Sequence, residues 1–263
     1  MFYFIHQIKG VFSFAIQLID KNNNFYIKHA WSNDIDIDSC NTYKLNICPE
    51  SVDSVICGDV KELDIDKLSP IDCFAYGFPC NDFSIVGEQK GFQGEYGPLY
   101  MYGINIIEKF NPRFFVAENV GGLASANEGK AFERILSDLG QAGKGYNITA
   151  NLYKSEQYGI PQTRHRIIIV GIRKDEGILY KVPKPTHMNN PVTAGEAILN
   201  PPILFDAPNN EITKQSKIVE ERLRYIKPGE NVWNANLPEH LKLNVKNTKL
   251  SQIYKRLDPN KPS

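Results

Sequence analysis

The sequence predicts an α/β protein built on a doubly wound, mostly parallel sheet with helices on both faces. Short apolar runs with the character of buried strands alternate with segments of helical periodicity over the first 180 residues. This alternation is typical of parallel sheets whose crossover helices cover both faces. Six prolines between residues 181 and 208 then break the pattern. We therefore predict one large α/β domain over residues 1–180 and a Pro-rich linker with a small irregular region over 181–263.

The predicted elements follow one another in chain order. Strands are expected at residues 2–8, 25–31, 52–57, 73–77, 114–117 and 167–172, and helices at 14–19, 40–45, 99–110 and 131–139. In sheets of this kind, ligands bind beyond the carboxyl ends of the strands. The polar residues that follow four of these strands are Asp34, Asp59, Cys80 and Glu118.

Composition limits the class of protein. Hydrophobic residues make up 42% of the 263 residues, which indicates a folded domain. No apolar run is long enough to span a bilayer, and the apolar start lacks the basic leader of a signal peptide. None of the five cysteines forms a CxxC pair, so we expect no metal site and a reducing cytoplasmic location.

Charge is unevenly distributed although the formal net charge is zero. Residues 181–263 carry 13 Lys and Arg against 8 Asp and Glu, which leaves 17 against 22 for residues 1–180. A basic region beside an acidic body is compatible with a polyanionic partner. Such imbalances are also common on solvated surfaces.

Three short segments carry candidate chemistry. Cys80 follows a buried strand and a proline, where a cysteine can act as a nucleophile, although a lone cysteine is more often structural. Glu118, before Asn119, ends an apolar strand and suits proton transfer, or it is the acid of a following helix. Arg164 and Arg166 lie two residues apart at the start of a strand, where they suit phosphate or base oxygens or are simply exposed charges.

The order Pro-Cys, Glu-Asn-Val and Gln-x-Arg-x-Arg resembles motifs IV, VI and VIII of the DNA cytosine-C5 methyltransferases. The resemblance implies that Cys80 attacks C6 of cytosine and that Glu118 holds and protonates N3. Asn119 would brace the turn that carries the cysteine. Arg166 would hold the cytosine O2, and Arg164 would support the acid or a phosphate.

The same resemblance implies S-adenosylmethionine as the methyl donor and double-stranded DNA as the substrate. Segment 33–36 resembles motif II, whose acid binds the ribose, and segment 57–60 resembles motif III, whose acid binds the adenine amino group. The implied cofactor residues are Gly10, Asp34, Ile35, Asp59, Val60, Pro79 and Leu99. The glycine-rich segment 84–98 would be the loop that closes over the flipped base, and Ser84 and Gln162 would contact DNA.

Motif I departs from the family pattern, because only Gly10 fits and Phe12 would crowd the methionine end of the cofactor. Reduced affinity for S-adenosylmethionine is therefore expected; a degenerate copy, a start-site artefact and an unusual pocket stay open as explanations.

The last ten residues resemble the opening of motif IX, so we expect part of the target-recognition region over 181–263. Three interpretations remain: a subunit that needs a second chain, a truncated remnant and an excised fragment. The expected function is cytosine-C5 methylation in a prokaryotic restriction-modification system, with nucleoid DNA as partner. The alternatives are an inactive remnant that at most binds DNA and, less favoured, a tRNA methyltransferase of the same fold.

Overall fold

The structure is a computed structural model that describes residues 2–4, 28–78, 99–208, 210–211, 213–244 and 251–263, with the backbone alone at 2–4 and 125–128. The described chain divides into two compact units. Unit 1 comprises residues 1–153 and 165–183, and unit 2 comprises 154–164 and 184–263. None of the helices in these ranges is long and apolar enough to cross a membrane. That residues 181–263 include a target-recognition region stays a prediction.

Five strands form the larger sheet of unit 1, namely β1 Phe2–Phe4, β4 Cys73–Gly77, β5 Phe114–Val120, β6 Tyr146–Lys154 and β7 His165–Arg173. Their order across the sheet is β1-β4-β5-β7-β6. Strands β1, β4 and β5 run parallel, and β7 runs antiparallel to β5. The predicted α/β class with a mostly parallel sheet is thus confirmed, and periodicity alone does not specify that β7 runs antiparallel to β5.

A second, two-stranded parallel sheet pairs β2, Ser32–Asp34, with β3, Val55–Cys57. The strand predicted at residues 25–31 is wrong for the described part, residues 28–31, since pairing begins at Ser32. The reason lies in Trp31, which is buried in the main core and donates its indole N–H to the Ser69 carbonyl at 3.0 Å. The apolar side chain of Trp31 therefore reflects its burial in the core and not a position in a strand.

The described part of unit 1 includes three α-helices: α1 Ile37–Asn46, α2 Leu99–Phe110 and α3 Lys130–Gln141. Helix α1 starts where Asp36, as N-cap, accepts the backbone N–H of Ser39 at 2.7 Å. The apolar positions of α2 and α3 recur every three or four residues, which puts one stripe of each into the core. The buried residues of these stripes are Tyr100, Gly103, Ile104, Ile106, Ile107, Ala131, Ile135 and Leu139.

Strand β5 shows how the sheet divides its residues between two faces. Phe115, Ala117 and Asn119 are buried, whereas the residues between them are partly exposed. This is the two-residue period of a strand. The strand predicted at 114–117 extends to Val120, so Glu118 and Asn119 lie inside the strand and their side chains point to opposite faces.

Unit 2 contains helices α4, Ala194–Leu199, and α5, Lys217–Tyr225. A small apolar cluster, with Ile226 and Leu241 at its centre, forms its core. Arg222 is buried beside this cluster and donates from Nε to the Leu241 carbonyl at 2.6 Å. Segment 154–164 belongs to unit 2 because it pairs with the last residue: the N–H of Ser263 donates to the Pro161 carbonyl at 3.0 Å.

Histidine 29 gives unit 1 a specific sensitivity to acid. Its Nδ1 lies 3.1 Å from the Ser54 hydroxyl, its ring packs 5.5 Å from that of Tyr43, and its Nε2 is buried without a partner among the described residues. Burial lowers the pKa of His29 from 6.5 to about 4. Below pH 6.5 the unfolded chain therefore binds a proton that the folded chain does not, which lowers the free energy of unfolding.

We expect the free energy of unfolding to fall as pH drops from 6.5 to about 4, and His29→Gln to make that fall smaller. Urea unfolding at several pH values in this window measures it. The exposed His240 offers a surface control, since the fall should become smaller for His29→Gln than for His240→Gln. An identical pH profile for wild-type and His29→Gln protein would contradict the prediction.

Candidate active site

The carboxyl ends of β4 and β5 form the first candidate site, which is called the first corner. The two strands are parallel and in register, with Gly77 opposite Glu118. The chain leaves β4 through Phe78, the last described residue before Pro79 and Cys80. Since parallel strands end at the same edge of a sheet, Phe78 leaves β4 beside the last residues of β5, among them Glu118.

A buried amide fixes the end of β4. The Nδ2 of Asn119 donates to the Phe78 carbonyl at 3.0 Å, and its Oδ1 accepts the N–H of Val120 at 2.8 Å. Asn119 is only 2% exposed, so these bonds are made away from water. The ring of Phe78 packs 5.8 Å from Tyr76 and 6.2 Å from Tyr100. The residue that leads into the Pro79-Cys80 segment is thus held by both its backbone and its side chain.

On the opposite face of the sheet, Glu118 forms an ion pair with Arg166. Arg166 Nε lies 2.8 Å from Glu118 Oε1. The antiparallel register sets Arg166 opposite Val120, diagonal to Glu118, a separation that long side chains can bridge. The side chains are 19% and 24% exposed, so a ligand can reach the pair. A second bond, from Arg166 Nη1 to the His165 carbonyl at 2.8 Å, orients the guanidinium.

The second candidate corner lies at the end of the β2–β3 sheet. Asp34 is the last residue of β2, and Asp59 follows β3 by two residues. Each carboxylate accepts a backbone N–H two residues further on, that of Asp36 for Asp34 at 2.9 Å and that of Lys61 for Asp59 at 3.0 Å. Two acids are therefore presented in tight turns at the ends of adjacent parallel strands.

Apolar neighbours accompany both acids. The side chain of Ile35 is 65% exposed directly after Asp34, and Val60 begins the 3-10 helix Val60–Glu62 and is half-buried. Leu99 begins α2 and is also half-buried, and its place beside the two acids stays a prediction. This corner can offer carboxylate oxygens to hydroxyl or amino donors and an apolar side chain to a ring.

Two exposed candidates, Gln162 and Arg164, belong to unit 2. The N–H of Arg164 donates to the Gln162 carbonyl at 2.9 Å. Strand β7 begins at His165, so the alternation that was expected to align Arg164 with Arg166 applies to Arg166 alone. The resemblance implies that Arg164 supports Glu118 or a phosphate. In the structure, Arg166 forms the ion pair with Glu118. The remaining candidates, Gly10, Pro79, Cys80 and Ser84, lie outside the described residues.

Comparison with known proteins shows the family of the chain. The family model for C-5 cytosine-specific DNA methylases matches residues 4–261. The chain belongs to this family. It is 57% identical over 244 residues to the Type II methyltransferase M.BbvI of Brevibacillus brevis, covering 91% of this chain and 65% of that protein.

One further relative agrees with this assignment, and one solved structure shares the fold. The Type II methyltransferase M.NgoFVII of Neisseria gonorrhoeae is 36% identical over 89% of the chain and 62% of its own length. The fold matches that of a DNA modification methyltransferase encoded within an E. coli prophage, with a TM-score of 0.57 and 22% identity over 85% of this chain and 64% of that one. The chain thus spans slightly less than two thirds of the length of each of these three proteins.

One residue of this C-5 cytosine methylase chain was missed from the sequence. Asn33 lies in β2 beside Asp34, is buried, and donates from Nδ2 to the carbonyls of Ile56 and Gly58. The available signal was a polar amide inside a short buried strand, next to the motif II acid. Among the described residues no group of three or more His, Cys, Asp or Glu side chains could hold a metal ion; the expectation of no metal stays a prediction.

Replacement of Asn119 by Asp tests the brace at the end of β4. The shape is kept, but a carboxylate oxygen then faces the Phe78 carbonyl oxygen in a buried place. We expect the free energy of unfolding to fall by more than about 2 kcal/mol at neutral pH.

The control is Asn46→Asp, because Asn46 makes the same type of bond, to the Thr42 carbonyl at 2.8 Å, on the surface. Its cost should stay within about 1 kcal/mol. Equal, small losses of stability in the two variants, measured by urea unfolding, would show that Asn119 does not hold the strand end.

Proposed function

We propose that the chain is the catalytic part of a DNA cytosine-C5 methyltransferase that acts through a covalent bond between Cys80 and C6 of the base. One observation carries the proposal: a buried Asn119 braces the strand end that leads to Cys80, while the adjacent Glu118 projects beside Arg166 from the neighbouring strand. Two peptide units separate Cys80 from Phe78, so chain geometry limits the distance between their Cα atoms to about 7 Å.

The covalent step is needed because C5 of cytosine has low reactivity. C5 of cytosine is too poor a nucleophile to take a methyl group directly. The thiolate of Cys80 adds to C6 while N3 takes a proton, and the electron pair of the C5–C6 double bond becomes available at C5. C5 then bonds to the methyl group, loses its proton to a base, and the re-formed double bond expels the thiolate. The products are 5-methylcytosine and S-adenosylhomocysteine.

Glu118 and Arg166 act on the N3 and O2 edge of the cytosine ring, across the ring from C6, where the bond to Cys80 forms. Glu118 shares its proton with N3, which draws electrons from the ring as the thiolate adds. Arg166 lies 2.8 Å from the carboxylate and offsets the charge left on it. The guanidinium also has further N–H groups for the cytosine O2. Arg164, which is exposed and directly precedes β7, would contact a phosphate.

The second corner fits the adenosine half of S-adenosylmethionine. Asp34 offers carboxylate oxygens suited to ribose hydroxyls and Asp59 offers them to an adenine amino group, with Ile35, Val60 and Leu99 as apolar lining. When bound, S-adenosylmethionine supplies the electrophilic methyl group. Gly10 and Pro79 complete the residues proposed for this site, and the reduced affinity expected from motif I stays a prediction.

The proposed substrate is double-stranded DNA. A base stacked inside a duplex cannot reach catalytic residues at the end of a β-strand of the protein. The target cytosine must therefore be flipped out of the duplex, at a cost of a few kcal/mol. We place Ser84 and Gln162 in contact with the DNA strand around the vacated position. The relatives named as Type II methyltransferases support a place in a restriction-modification system. Participation of a second chain stays a prediction.

The test uses a bacterial host free of cytosine methylation. Expression of the chain, with sequencing of bisulfite-treated host DNA, should reveal 5-methylcytosine at one recurrent short site. Cys80→Ser should abolish the signal, and Glu118→Gln should lower the methylation rate by about 100-fold or more.

Matched controls are Cys48→Ala, in the small core formed by α1 and β3, and Glu133→Gln, exposed on α3; both should methylate as wild type. Full methylation by Cys80→Ser would contradict the proposal. No methylation by the wild-type chain, both alone and co-expressed with a chain that supplies the missing motifs, would also contradict it and would favour a remnant that at most binds DNA.

A further inference from the structure

The buried amide of Asn33 connects the two turns that carry the proposed cofactor acids. Its Nδ2 donates to the Ile56 carbonyl at 3.0 Å and to the Gly58 carbonyl at 2.9 Å. A primary amide has two N–H donors, and here both are used. One acceptor lies in β3 and the other beyond its end, next to Asp59. A single side chain of β2 therefore holds the turn that follows β3.

The backbone closes the same link from the other side. Gly58 N–H donates to the Asp34 carbonyl at 2.9 Å, and Asp34 lies opposite Cys57 in the parallel register. Strands of three residues supply few ladder bonds, so the two bonds of the Asn33 side chain form a large share of the connection. Asn33 is 3% exposed, and water cannot readily replace them.

Each acid is also fixed within its own turn. Asp34 Oδ1 accepts the Asp36 N–H, and Asp59 Oδ1 accepts the Lys61 N–H. These local bonds orient each carboxylate relative to its own backbone. They do not set the distance between the two turns, to which the strand pairing, the Asn33 side chain and the Gly58 bond contribute.

We infer that Asn33 is the positioning residue for the adenosine end of the methyl donor, because it sets the spacing between Asp34 and Asp59. The inference rests on the proposed function of this corner. Ribose hydroxyls and the adenine amino group lie at fixed positions in one rigid ligand, so both carboxylates can bond to it only at a matching separation. Site geometry of this kind tolerates errors of roughly 0.5 Å.

The experiment measures binding of S-adenosylmethionine and of adenosine to the full chain by calorimetry. Asn33→Ala removes both bonds and should weaken both ligands by at least about tenfold. Asn33→Ser keeps one donor and should weaken them by about threefold, which retains the test if the alanine variant does not fold. The control is Ser32→Ala, since Ser32 is an equally buried neighbour whose hydroxyl has no hydrogen-bond partner among the described residues. Its affinities should equal those of the wild type.

A double-mutant cycle separates positioning from a general loss of structure. Once Asp59→Ala has removed one of the two acids, their spacing no longer matters, so adding Asn33→Ala should cost at most about threefold. The same tenfold loss in both backgrounds would overturn the inference, as would unchanged binding by Asn33→Ala beside a wild-type chain that binds. A folded wild-type chain that binds neither ligand would instead overturn the proposed cofactor site, and the inference with it.

Discussion

The parallel register between β4 and β5 is the constraint on which the proposed active site depends. It sets Gly77 opposite Glu118 and brings the Phe78 carbonyl within reach of the Asn119 amide. Without that pairing, the chain that leaves β4 toward Cys80 would have no fixed relation to the acid on β5. The hydrogen bond from Asn119 to the Phe78 carbonyl stabilises the fold, because without it the buried amide N–H and the carbonyl oxygen would both lack a hydrogen-bond partner.

The two corners of unit 1 use the same device. In each, an asparagine and an acid are adjacent in one strand, Asn33 with Asp34 and Glu118 with Asn119. The asparagine is buried and donates to backbone carbonyls at the end of the parallel neighbour, while the acid is partly exposed. The alternation of side chains along a strand makes this division possible, because adjacent residues point to opposite faces. A rigid backbone and an accessible carboxylate thus come from one dipeptide.

The fold could be predicted from the sequence where apolar pattern alone decides it. The bounds of α2 and β4 were predicted as they occur, since β4 is a continuous apolar segment and α2 has apolar residues at helical spacing. Strand β6 was not predicted, because polar residues interrupt Tyr146–Lys154 and few of its side chains are buried. The direction of β7 could not be predicted, since a buried strand has the same composition whether it runs parallel or antiparallel.

The candidate acids could be predicted from the sequence, but their partners could not. Glu118 and Asp34 follow from acids placed near strand ends, whereas the ion pair with Arg166 depends on the register of β5 against β7. Asn33 was missed for the same reason, because its role exists only once β2 and β3 are paired. Residue type indicates what a side chain can do, and register decides which partner it meets.

Covalent trapping tests most directly whether Cys80 and Glu118 work on one base. In a duplex whose target cytosine carries fluorine at C5, the proton needed for release of the cysteine is absent, so the adduct persists after methyl transfer. Mass spectrometry of the digested complex should locate the nucleotide on the peptide that contains Cys80, and Glu118→Gln should slow adduct formation by about 100-fold or more. An adduct on a different residue, or one that forms equally fast without the Glu118 carboxyl, would contradict a shared site.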